Sequence, residues 1–195
     1  MNNVQFGGEK MNKVVTSKEA ILEVSRNLAT QQGLKAINMR TVAKECQVAL
    51  GSIYNYFPSK GDLIAATVES IWMSIFHMTH DCLHFDNFIE CLKWLYQQIQ
   101  NGTKEYPDFL FIHSEGFDSN QKELGKAVMD KYFEHMYQNL TIVLQQDQNV
   151  KENTFDDSLS EREFIQFVFS NIMDNLSQNQ KDCHTLIEIV KRILY

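Results

Sequence analysis

The residues with the richest chemistry lie close together, between Arg40 and Lys60. Gly51 and Ser52 are small enough to let backbone approach another molecule closely, and the Ser52 hydroxyl can donate to a phosphate or a base edge. Tyr54 and Tyr56 can place hydroxyls on phosphate oxygens, while Asn55 can read an adenine edge. Arg40, Thr41 and Lys44 suit contacts to the sugar-phosphate backbone, and Lys60 falls where a helix should begin, next to free N–H groups that also attract phosphate. Ala49 and Leu50 offer methyl groups, which fit thymine methyls. This is chemistry for binding nucleic acid, not for making bonds.

A second cluster sits in the run His77-Met78-Thr79-His80-Asp81-Cys82-Leu83-His84. His80 and His84 lie four apart on one helical face, as do His77 and Asp81, which invites a metal reading for His77, His80, Cys82 and His84. Four ligands along a single helix cannot all face one ion, and histidines near a helix C-terminus are favoured by the dipole alone. We therefore expect no metal and no cofactor. No phosphate loop, GxGxxG, HExxH or GxSxG elbow is present, so no enzyme is expected either.

The elements that would position these residues are helices. Thr16 with Glu19 forms a capping-box pattern, Ile21, Val24 and Leu28 share one face, and Gly33 can close the helix in a left-handed conformation. Asn38 can cap a short second helix whose Val42, Ala43 and Cys46 point inward, and Gln47-Val48-Ala49 turns the chain into a third helix over Leu50 to Phe57, ended by Pro58. Ile53, Phe57 and Val48 belong to the core. Ser59 and Asp62 start a fourth helix, apolar at Leu63, Ile64, Val68, Ile71 and Ile75 and running toward His80. Further helices are expected at 86–100, 107–116, 122–146, 160–178 and 182–194, separated by Asn101-Gly102, 118–120 and a polar stretch over 147–159. No segment sustains a two-residue alternation, so the fold class is all-α.

Two short helices joined by a tight turn form a helix-turn-helix, whose second helix fits the major groove. The run Met39-Arg40-Thr41-Val42-Ala43, followed by Val48 through Tyr54-Asn55-Tyr56-Phe57-Pro58-Ser59-Lys60-Gly61-Asp62-Leu63-Ile64, closely resembles the signature of the tetracycline-repressor (TetR) family over about 50 residues, Thr16 to Ile64. Lys60 looks like that family's phosphate-gripping lysine. Three positions depart from the common pattern: Gln47 where glycine is usual, Ala49 where a serine or threonine cap is usual, and Leu50 where a polar residue often sits. The resemblance implies a disordered tail over 1–14, a three-helix DNA-binding domain over 15–62, and a larger helical effector-binding and dimerisation domain over 63–195, joined through the long fourth helix.

In the larger domain the resemblance implies a dimer interface built from the last two helices, and Phe164, Phe167, Val168, Ile172, Leu176, Leu186, Ile189, Val190 and Ile193 make them apolar on more faces than a monomer needs. About half of these positions are expected to be ordinary core. It also implies a cavity for an unknown small-molecule effector, with Trp72, Phe76, Trp94, Phe109, His113, Phe117, Phe133 and Asn171 as candidate lining. The expected function is a homodimeric repressor that binds a palindromic double-stranded operator and is released by that effector. An activator, or a regulator controlled by a protein partner, is the alternative.

Bulk properties agree. The 195 residues suit a small module fused to a larger helical one. The net charge of −7 is unevenly distributed: residues 1–70 carry eight Lys/Arg against six Asp/Glu, and residues 71–195 carry ten against nineteen. A mildly basic head on an acidic body presents one end to phosphate. No signal-peptide core and no run of about 18 apolar residues occurs, so a cytoplasmic location without membrane contact is expected. There the sequons at Asn101, Asn139 and Asn175 are chance matches, and Cys46, Cys82, Cys91 and Cys183, with no CxxC spacing, are expected as reduced buried thiols.

Overall fold

The computed structural model describes residues 16–75, 84–106 and 119–195, with side chains from 130 onward in the last of these. The expected tail over 1–14, the helix over 107–116 and the continuation of the fourth helix toward His80 lie outside the described residues. The described residues form eight α-helices and a 3-10 turn, with no strands. The helices are α1 (Lys18–Gln32), α2 (Met39–Glu45), α3 (Leu50–Tyr54), α4 (Lys60–Ile75), α5 (Phe88–Glu105), α6 (Ser119–Gln146), α7 (Glu161–Ser177) and α8 (His184–Leu194).

The first three helices are held by local chemistry. α1 is capped by Ser17, whose hydroxyl accepts from the Ala20 N–H at 3.1 Å, so the cap is one residue later than the Thr16 expected from sequence. Glu19 instead pairs with Arg26 at 3.3 Å. Ile21, Leu22, Leu28 and Ala29 are buried along one face, and Gly33 ends the helix at φ 77°. Asn38 caps α2 through the Thr41 N–H at 2.9 Å. The turn into α3 places Gln47 at φ 56°, in the left-handed region where glycine is the unstrained choice. α3 has no side-chain cap at Ala49 and ends at Tyr54, three residues before the expected Phe57. Ile53 and Phe57 are buried in the same core cluster as Val42 and Ala43 of α2, and α2 packs on α3.

α4 begins where Ser59 accepts from the Asp62 N–H at 3.2 Å and donates to its carboxylate at 2.7 Å. Its buried residues include Leu63, Ile64, Val68, Ile71, Trp72 and Ile75, spread around most of its circumference. The cause is position: α4 packs against α1 on one side and against α5 and α6 on others. The buried hydroxyls of Thr67 and Ser70 satisfy themselves on helix carbonyls at 2.7 and 2.9 Å.

The body is built on α5 to α8. Sequence placed a break at Asn101-Gly102, but α5 runs through both to Glu105. Gly102 serves close packing: a Cβ there would lie 2.5 Å from Cδ1 of Ile75 on α4. α6 is tied to α7 by a bidentate Arg162–Glu134 pair at 2.9 and 2.6 Å, and α7 opens with a full capping box, Ser160 and Glu163. Aromatic rings fill the centre: Phe133 lies 6.0 Å from Trp72 and 5.1 Å from Phe169, in edge-to-face geometry.

The end of α6 is anchored by Asp147. Its buried carboxylate accepts from the Phe88 N–H at 2.9 Å, the Asn87 side chain at 3.2 Å, the Asn149 N–H at 3.0 Å and the Tyr195 hydroxyl. Burial works against that carboxylate, but the hydrogen bonds outweigh it and hold it below the ordinary aspartate range. The end of α8 is fixed by the Lys151 N–H donating to the Leu194 carbonyl at 2.8 Å.

Candidate nucleic-acid interface

The candidate contact residues on α2, α3 and the start of α4 are mostly open to solvent. Arg40, Lys44, Ala49, Gly51, Tyr54, Asn55, Tyr56 and Lys60 are exposed, and Thr41, Leu50 and Ser52 are half-buried. Tyr54 and Tyr56 keep 47% and 41% of their surfaces in solvent, unusual for aromatic residues that had the option of packing. Gly51 is the most telling position. An added Cβ would meet nothing within 4 Å, so the fold does not require glycine there. Glycine inside a helix costs about 1 kcal/mol relative to alanine. The open space there leaves room for another molecule to approach the backbone.

Three of the expected contact residues also serve the fold. Tyr56 donates its hydroxyl to the Thr16 carbonyl at 2.7 Å, so its single proton braces α3 against the start of α1 and is not free for a phosphate. Thr41 accepts from the Asn38 side chain at 2.7 Å, making it part of the α2 cap. Leu50, expected to point outward, packs partly against the core. Lys60 is the first residue of α4, beside the free N–H groups of that helix. Lys18 lies 5.9 Å over the Phe57 ring and fastens α1 to the end of the α3 turn.

A family model described as "Bacterial regulatory proteins, tetR family" matches residues 21–67, from α1 through the first half of α4. The match covers about a quarter of the chain and makes residues 21–67 similar to that family's regulators. Over 51 residues, 26% of this chain and 24% of the relative, the sequence is 39% identical to the HTH-type transcriptional repressor KstR of Rhodococcus jostii. The chain thus spans about a quarter of the length of the curated relatives it matches. Two solved structures share the fold over nearly the whole chain. E. coli NemR in its reduced form has a TM-score of 0.63 at 21% identity, covering 91% of this chain and 97% of NemR. The transcriptional regulator FadR from Bacillus subtilis, in complex with stearoyl-CoA, has a TM-score of 0.58 at 16% identity, covering 91% and 95%. KstR and FadR are regulators, not enzymes.

Of the candidate effector lining, four residues are described, and two of these, Trp72 and Phe133, meet. Trp72 is 1% exposed and sits in the packed ring cluster with Tyr132 and Phe133. Trp94 instead pairs with Phe85 at 5.5 Å. Asn171 donates to the Phe167 carbonyl one turn earlier. Phe76, Phe109, His113 and Phe117 lie outside the described residues, as do His77, His80 and Cys82. His84 is exposed. Cys91 and Cys183 are buried free thiols and Cys46 is half-buried, its thiol pushed up first by burial and then by Glu45.

An open cleft of about 770 Å³ lies elsewhere, where α1, α4 and α6 meet, lined among others by Leu22, Glu69, Met73, Tyr132 and Met136. The sequence reading missed it. Its signal was present as helical spacing, since Glu69 and Met73 are four apart on α4, as are Tyr132 and Met136 on α6. Nothing in either pair announces that the faces converge.

The expected dimer residues divide in two. Phe164, Val168, Ile172, Leu176, Leu186 and Val190 are buried within the single chain, so they are core. Phe167, Ile189 and Ile193 remain 53%, 45% and 36% exposed on the contacting helices α7 and α8. Among the described residues no helix is long and apolar enough to cross a membrane.

Proposed function

We propose that the protein is a homodimeric, sequence-specific DNA-binding transcriptional regulator acting in the cytoplasm, most simply a repressor released by a small effector. The observation that carries this is the open position of Gly51 on an exposed α3 face flanked by Ser52, Tyr54, Asn55 and the cations Arg40, Lys44 and Lys60. A small outward residue at a helix start, hydroxyls and amide around it, and cations at the edges are what a major groove asks for. Residues 15–62 act as the reading head and 63–195 as the effector-binding and dimerisation body.

Dimerisation supplies the second half-site. Phe167, Ile189 and Ile193 give α7 and α8 an apolar outer face, and an isologous contact through it makes the operator palindromic. α4 links the units: it begins at Lys60 beside the DNA-facing surface and ends at Ile75 against Gly102 of α5. An effector that prefers the arrangement poorly matched to DNA releases the operator by differential affinity. FadR, a structural neighbour that binds stearoyl-CoA, supports an organic effector of some kind.

Selection of bound sequences from random duplexes tests the reading. A palindrome with half-sites about 10 base pairs apart, or a multiple of that, is the expected product. Enrichment of nothing above non-specific binding, with the dimer intact, overturns it.

A further inference from the structure

The cleft at the junction of α1, α4 and α6 has the size of a small-molecule site, since such sites run to roughly 300–1,000 Å³. Its walls are mostly apolar: Leu22 from α1, Met73 from α4, and Met136 and the Tyr132 ring from α6. Met73 is 62% exposed, a large apolar side chain left open at the cleft.

The charges there are unequally satisfied. On the α1 wall Arg26 is paired with Glu19 at 3.3 Å, and Lys18 lies 5.9 Å over the Phe57 ring. His135 is exposed on the α6 wall. Glu69 is different: half-buried in a stretch of α4 that is otherwise apolar or small, it makes no hydrogen bond or ion pair among the described residues. Its charge is felt by its neighbour, for the Tyr132 phenol is pushed up to about 12, by burial first and by the Glu69 carboxylate second. A half-buried carboxylate without a partner among the described residues, beside an aromatic ring and thioether sulfurs, has the complement of a cation carried on an apolar body.

We propose that this cleft binds a lipophilic organic cation, with Glu69 opposite the positive centre and Leu22, Met73, Tyr132 and Met136 around the apolar body. The site touches the reading head through α1 and the body through α4 and α6, so filling it changes how α1 sits on α4. Resting on the DNA-binding reading above, the second half of the inference is that occupancy weakens operator binding.

Tetraphenylphosphonium and tetraphenylborate share shape and differ in sign, which makes them the probes. By equilibrium dialysis against the full-length dimer, the cation should bind at least about tenfold tighter than the anion. Glu69→Gln should lower cation affinity by about tenfold, whereas Glu69→Asp, which keeps the charge, should stay within about threefold of the parent protein. Equal binding of both probes, or cation binding unchanged in folded Glu69→Gln, overturns the site. Cation binding that depends on Glu69 but leaves the affinity for the selected duplex unmoved overturns the coupling alone. Absence of duplex binding by every form, with Glu69-dependent cation binding intact, sinks the DNA-binding reading and leaves the site standing.

Discussion

The α2–α3 face and the α7–α8 face are both exposed, yet they are made of different materials. Around α3 the exposed residues include two tyrosines, an amide, a glycine and the cations Arg40, Lys44 and Lys60, with Glu45 beside them. On α7 and α8 they include a phenylalanine and two isoleucines. The supporting structure differs too: α3 has five residues and no side-chain cap, whereas α7 has seventeen and a full capping box. A five-residue helix does not hold itself. It is kept by Ile53 and Phe57 underneath, by Tyr56 on Thr16 and by Lys18 on Phe57. The two surfaces suit the partners proposed above: polar and cationic for phosphate and bases, apolar for a second copy.

That contrast breaks first at the charges. Arg40→Glu with Lys60→Glu should weaken binding to the selected duplex by about 100-fold at 0.1 M salt, because it removes and reverses two cations per half-site, with dimer mass unchanged in sedimentation. Phe167→Asp should act on the other face alone: it desolvates a charge in each copy of the contact, weakening the dimer by about 2 kcal/mol or more, seen as monomer in sedimentation with the helical circular dichroism retained.

Smaller effects fall on the backbone and on Asp147. Gly102→Ala should destabilise by about 2 kcal/mol in urea unfolding, since the new methyl meets Ile75 at 2.5 Å within packed helices. Tyr195→Phe removes one donor from the Asp147 carboxylate and should lower stability by about 1 kcal/mol at neutral pH. The sign with pH follows from the depressed folded pKa: the stabilisation is present above the unfolded aspartate value of about 3.9 and is lost as pH falls through the lower folded value. Acid unfolding of Tyr195→Phe should therefore begin at higher pH. Gln47→Gly should raise stability by about 0.5 kcal/mol through relief at φ 56°, with no change in DNA affinity.

The head was the legible part. Gly33 and Asn38 end and begin helices by local rules, and Gln47 was recognisable as a residue in a glycine position, which its φ of 56° explains. Signals acting within four residues survive in sequence. The body obeys longer-range constraints. Gly102 reads as a breaker until Ile75, distant in sequence, is seen above it. Trp72 and Phe133 read as pocket walls because aromatic content does not say whether rings face a void or one another. About half of the nine apolar residues named for the dimer face were expected to be core, and six are buried within the single chain, since helices covered on two sides need more than one apolar stripe. Glu69 went unnoticed because convergence of faces on α4 and α6 is a tertiary fact.

The most direct test is a salt titration of binding to the selected palindrome, followed by fluorescence anisotropy with the stoichiometry fixed. With Arg40, Lys44 and Lys60 from each of two chains on phosphates, the slope of log K against log salt should be about −5 at two chains per duplex. A slope near zero, or saturation at one chain per palindrome, would contradict the account of a dimer reading DNA through α3.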